Sequence, residues 1–233
     1  MDTDRINICD KKARFEFIIN SPPLSHSELQ GYVEEFECRL LYDISGDDDD
    51  EMDEKIIGKA SGYRLGLNSC YWEFDENNRD AIHPIDLLDY IDDHVAKLIC
   101  LFDEYSDIKS KYRRKLTKFL DEDILPPDIL LIKRLEVLAR YRGKNFGEAL
   151  IANSIYMLGR KNDLVVLNPF PLQLEYIKDK EVKTQWQEEL QLDNFTQDQS
   201  WAKKKLGNYY KKLGFKKLTE DGLIFLALTS PRL

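Results

Sequence analysis

Six residues, Arg142-Gly143-Lys144-Asn145-Phe146-Gly147, join a stretch that alternates like a strand to one that repeats like a helix. A helix N-terminus presents backbone N–H groups without intrahelical acceptors and the positive end of the helix dipole. A glycine-bearing turn at that point is therefore suited to seat an anion. Gly143 and Gly147 would let the main chain approach phosphate oxygens with no Cβ between, and Arg142 and Lys144 add positive charge. Taken alone, the pattern is as compatible with a helix start that needs small residues for steric reasons. The stretch has neither the GxxxxGK[ST] spacing of a P-loop nor the GxGxxG spacing of a dinucleotide-binding fold, so those two chemistries are set aside.

Other residue types offer less. Cys9, Cys38, Cys70 and Cys100 are widely scattered without a CxxC pair, which reads as reduced, mostly buried thiols. His26, His83 and His94 show no ligand spacing. Neither a metal site nor a histidine triad is expected.

The elements that must position the turn follow from periodicity. Residues 14–20 read as a first strand ended by Ser21-Pro22-Pro23, and "SHSELQGYVEEF" as a short serine-capped helix. "ECRLLYDIS" and "EKIIGKASGYRLGLN" read as a hairpin whose tip, residues 47–54, is a run of acids. From Pro84 to Phe102 the apolar residues follow one helical face, and "SKYRRKLTKFL" adds a second amphipathic piece before Pro126-Pro127. "DILLIKRLEVLARY" is a long strand, residues 143–159 a helix, and "DLVVLNPF" a short buried strand. Residues 176–200 are polar, with little core and room for a short helix. "WAKKKLGNYYKKLGF" reads as a helix closed at Gly214, followed by a hairpin around "TEDG".

"VLARYRGKNFG" resembles motif A of the GNAT superfamily of acetyl-CoA-dependent N-acetyltransferases, [QR]xxGx[GA] after a strand, with Asn145 standing where the family has its central glycine. "NYYKKLGF", residues 208–215, resembles the family's late "FYxxxGF" helix and turn, in the required order about sixty residues on. The resemblance implies one GNAT-like domain over residues 1–233. Its fold would be mixed α/β: a central, mostly antiparallel sheet with flanking helices, splayed between the fourth and fifth strands. Residues 71–127 would form a helical insertion before the fourth strand, and 128–228 the acetyl-CoA-binding core.

The same resemblance assigns roles. Leu135, Glu136 and Val137 would bond the pantetheine through strand backbone, and the amides of Arg142, Gly143, Lys144, Asn145, Phe146 and Gly147 would take the pyrophosphate. Tyr210 corresponds to the family tyrosine that protonates the leaving coenzyme A sulfur. Glu136, beside the expected thioester, and Glu175, beyond the fifth strand, are the candidates for a general base. A substrate amine that deprotonates in bulk needs neither. Homodimers are common in the family. The implied activity is acetyl transfer to a primary amine of a small cationic molecule or a protein. The alternative is a GNAT-fold acetyl-CoA-binding or regulatory protein with little or no catalysis, in keeping with Asn145.

Composition bounds the partners. The chain is 42% apolar and 33% charged, as soluble globular proteins are. Its net charge of -9 disfavours general nucleic-acid binding and favours cationic acceptors. No apolar run approaches the roughly 20 residues of a membrane-spanning helix, and the first residues lack a signal-peptide layout, so a cytoplasmic protein is expected.

Overall fold

The computed structural model describes residues 12–20, 31–45, 53–73, 84–91, 93–103, 107–120, 126–175, 183–220 and 222–227. Among these residues seven strands form one open sheet: β1 (Ala13–Asn20), β2 (Val33–Asp43), β3 (Glu54–Leu65), β4 (Ile129–Val137), β5 (Leu164–Leu167), β6 (Lys216–Lys217) and β7 (Ile224–Ala227). Their order is β1-β2-β3-β4-β5-β7-β6, and only β4 and β5 run parallel. The helices are α1 (Leu67–Glu73), α2 (Pro84–Ile91), α3 (Asp93–Ala96), α4 (Ser110–Leu116), α5 (Phe146–Leu158), α6 (Gln185–Leu190) and α7 (Gln199–Lys212). Among the described residues no helix is long and apolar enough to cross a membrane.

Alternation along the strands builds three layers. In β2, Phe36, Cys38 and Leu40 are buried, whereas Glu37 and Arg39 face outward and pair at 2.5 Å. On that inner face α5 and α7 cover the sheet, with Ile151, Ile155 and Leu213 against Leu130, Ile132, Val165 and Leu167. On the other face Leu87, Leu88, Val95 and Leu98 pack against Ile129, Leu131, Val166 and Phe225. β5, buried on both faces, is accordingly apolar at all its positions. Each fully buried leucine of this kind contributes roughly 1.5–3 kcal/mol.

The described residues of segment 71–127 therefore cover one side of the sheet and share its core. The helix expected from Pro84 to Phe102 is helical over Pro84–Ile91 and Asp93–Ala96, with residue 92 outside the described residues, and tightens to a 3-10 turn over Lys97–Leu101. The helix expected over "SHSELQGYVEEF" is also corrected, because Val33 to Phe36 belong to β2; residues 21–30 lie outside the described residues. The strand expected to reach Asn68 stops at Leu65, and α1 begins at Leu67. There Asn68 is held by its N–H on Asp128 Oδ1 (3.0 Å) and its Nδ2 on the Pro126 carbonyl (3.1 Å). The acidic tip lies mostly outside the described residues.

Candidate active site

β4 and β5 pair only from Ile129 to Ile132 against Leu164 to Leu167. β5 then gives way to Asn168-Pro169; the proline has no N–H to donate and restricts the residue before it. β4 runs on to Val137 without β5 beside it, so the two strands part. A cavity of about 410 Å³ fills the gap, walled by β4 from Ile132 to Val137, by the β5 exit at Asn168 and Phe170, and by Leu206, Tyr209 and Tyr210 of α7. A bulge in the β3–β4 pairing, where Ser61 faces Arg134 but Gly62 faces Ile132, changes the alternation of β4 at Lys133. As a result Leu135 and Val137 join Ile132 on the α5 side, and Arg134 and Glu136 occupy the other.

At one end of the cavity α5 begins. Asn145 is its N-cap, held in the left-handed region at φ 61° and ψ 12°, with no side-chain bond to the helix. Asparagine tolerates that region better than most non-glycine residues, so the turn keeps the shape a glycine would give it. The first intrahelical bond is Ala149 N–H to the Asn145 carbonyl, at 3.0 Å, which leaves the N–H groups of Phe146, Gly147 and Glu148 without an intrahelical acceptor. Gly147 also serves close packing, since a Cβ there would lie 3.0 Å from the Tyr209 hydroxyl and 3.6 Å from Leu135 Cδ2.

The two cations of the turn behave differently. Arg142 Nε–H donates to the Val137 carbonyl (2.9 Å) and Nη2 to that of Leu190 (2.5 Å), with the Phe195 ring 4.6 Å from the guanidinium. Burial lowers its pKa from the usual value. Its backbone N–H is directed to Ala139, at 3.3 Å. Arg142 thus ties α6 and the following turn to the end of β4, a role the sequence did not announce. Lys144 is exposed, its ammonium 5.9 Å from the Tyr141 ring, and does not line the cavity.

Tyr209 and Tyr210 reach the opposite wall from the last turns of α7. That end is fixed by a double backbone closure: Phe215 N–H to the Tyr210 carbonyl and Gly214 N–H to that of Lys211, both 3.1 Å, with Gly214 at φ 95°. Tyr210 packs edge-on against Phe215 and Tyr209, with ring centroids 5.9 and 5.2 Å away. Neither hydroxyl bonds to a described residue. Among the described residues the one fully buried side-chain polar atom without a partner is Arg64 Nε, so both hydroxyls reach open space. Burial, and then the neighbouring Tyr209, raises the pKa of Tyr210; burial and the Glu148 charge push Tyr209 up to about 12. Both are neutral proton donors at ordinary pH.

Glu136, 6% exposed, is held in a polar network along β4. Its Oε2 accepts from Trp186 Nε1 (2.9 Å) and its Oε1 lies 3.5 Å from Arg134, which also pairs closely with Glu175. The two base candidates are thereby bridged by one guanidinium. Trp186 in turn lies under the Lys59 ammonium, 4.6 Å from the ring centroid. Arg134 and Trp186 were not singled out in the sequence; α6 is the short helix for which residues 176–200 left room, and Leu190 is the one buried residue among positions 183–200. The signal was present as Thr184-x-x-Gln187, whose capping box starts α6.

The gap thus brings Leu135, Glu136, Val137, Gly143, Asn145, Phe146, Gly147 and Tyr210 to one cavity. It can accept an elongated ligand along an unpaired strand edge, face an anion with free amides at one end and donate a proton at the other wall. Among the described residues no group of three or more His, Cys, Asp or Glu could hold a metal ion. No family model, curated protein or solved structure matches this chain.

Proposed function

We propose that the protein is a GNAT-like N-acetyltransferase that moves an acetyl group from acetyl-CoA to a primary amine of a small cationic molecule or a protein. The observation that carries the reading is the unpaired end of β4 beside the truncated β5, with the motif A stretch at the start of α5 and the tyrosine of the late motif on the facing wall. The fit to acetyl-CoA rests on the same features: a strand edge free to bond an amide chain, apolar walls from Leu135, Leu167 and Leu206, and the N–H groups of Phe146 to Glu148 for a diphosphate. When bound, acetyl-CoA supplies an acyl group activated as a thioester.

The chain's own residues then have definable tasks. Tyr210 Oη holds a proton far above neutral pH because of burial, and donates it toward a developing thiolate. The Glu136 carboxylate, oriented by Trp186 Nε1 and Arg134, accepts the proton of an incoming ammonium, directly or through water. Arg142 keeps the α6 wall closed over the end of β4. One observation favours a second reading: Asn145 places a side chain where the family has none, which suits a protein that binds acetyl-CoA without turning it over.

Release of free coenzyme A thiol from acetyl-CoA, followed over a panel of primary amines, separates the two. Turnover with at least one amine is expected for the enzyme. Acetyl-CoA-dependent thermal stabilisation without thiol release would establish the binding protein, and the absence of both would remove the acetyl-CoA reading.

A further inference from the structure

A second cavity, of about 850 Å³, lies beyond α7 and meets the first at Asn168 and Phe170. Ala202, Leu206 and Tyr209 face the first cavity, whereas Lys203, Gly207 and Lys211, one row along α7, line the second. Lys217 of β6 completes a groove with three ammonium groups and no carboxylate among its described lining residues; Lys216 borders it too, but its ammonium lies 3.5 Å from the Phe119 ring centroid, on the α2–α4 side of the sheet. Lys203, Lys211 and Lys217 form no ion pair with a described residue, although acids outnumber bases by 43 to 34 in the chain. Lys203 lies 5.6 Å from the Phe170 ring centroid, at an aromatic wall that Phe215 and Ile224 extend.

Gly207 gives an independent indication. A glycine inside a helix destabilises it relative to alanine, yet a Cβ at Gly207 would meet nothing within 4 Å. Packing does not require the missing side chain. What its absence does is keep the floor of the groove open between Lys203 and Lys211.

We propose that this groove is a binding site for a compact, oligophosphate-bearing small molecule with an apolar or aromatic body. Lys203 and Lys211 stand two helical turns apart, about 12 Å along the axis, which calls for several charges rather than one. Ammonium groups bind phosphate as point charges, and the aromatic wall accommodates the organic part. Compactness follows from the net charge of -9: a polyanion extending beyond the groove would meet a predominantly acidic molecule. The site adjoins the proposed acetyl-CoA cleft at Asn168 and Phe170 but presents a different row of α7, and it does not depend on that reading.

The test is calorimetric titration of the full chain with inorganic tripolyphosphate. Saturable binding that weakens with added salt is expected. Lys211→Glu with Lys217→Glu should lower affinity about tenfold or more, whereas Lys97→Glu with Lys161→Glu, the same change in net charge elsewhere, should retain most of it. Gly207→Leu fills the groove without altering charge and should weaken binding while α7 remains folded. Unchanged affinity in the groove variants, or equal weakening in the control pair, would overturn the site. So would displacement of tripolyphosphate by acetyl-CoA, which would place it at α5, or binding of an oligoglutamate peptide where tripolyphosphate fails. Failure of acetyl-CoA to bind at all would leave the groove untouched.

Discussion

Tyr210 is a neutral hydroxyl on a wall of the cleft, raised in pKa by the packing that also fixes its ring. Tyr210→Phe keeps the ring and its edge contacts and removes only the proton donor. Turnover is expected to fall by roughly 10² to 10⁴, the usual reach of a positioned acid, with a nearly unchanged melting temperature. Wild-type turnover in the variant would reduce Tyr210 to packing. Asn145 is a different case, because its main chain already has the left-handed geometry and only its side chain departs from the family pattern. Asn145→Gly should therefore tighten acetyl-CoA binding with little effect on amine preference, as read by titration; weaker binding would make the asparagine a ligand.

Among the elements, β5 sets the cleft by ending early, and its start carries a titrating group. Asp163 is 3% exposed and accepts the Arg160 N–H at 2.8 Å, with Arg64 3.9 Å away; burial pushes its carboxyl up to about 6. A folded-state pKa above the unfolded value means that the folded chain holds the proton more tightly. The resulting stability is present below the unfolded pKa and lost as pH rises through about 6. Thermal melts of wild type and Asp163→Asn are expected to diverge in that sense: the stability of the wild type relative to the variant should decline between about pH 4 and 7, and a constant difference would refute it.

The same scale shows what the sequence made legible. β1, β4 and most of β2 and β3 were readable because alternation and turn residues are local, as was α7 with its Gly214 stop. The bulge at Lys133 was not, since it depends on how β3 pairs across the sheet, and it decides which side Glu136 takes. For the same reason Leu135, Asn145 and Tyr210 were identifiable as candidates through the family resemblance of two short local motifs, whereas Arg142 as a clamp on Leu190 and Trp186 as the donor to Glu136 join residues 48 and 50 positions apart, contacts that only the folded chain creates.

At the scale of the molecule, charge is distributed unevenly. The acidic run at 47–54 would attract a cationic acceptor, and the lysine groove behind α7 is suited to anions, with the cleft between α5 and α7 meeting that groove at the end of β5. Replacing Asp47, Asp48, Asp49 and Asp50 by Asn should raise KM for a cationic amine, mainly at low salt, without weakening acetyl-CoA binding. Equal amine kinetics at both salt levels would remove electrostatic steering by that run. The central claim is narrower: the parted strands β4 and β5 seat acetyl-CoA. It is tested most directly by calorimetric titration of acetyl-CoA into the wild type and into Leu206→Trp, which narrows the cleft from α7 without touching the α5 turn. Saturable binding between about 1 μM and 1 mM is expected, weakened about tenfold or more in a variant that keeps its melting temperature. No binding to the wild type, or equal binding to both, would contradict it.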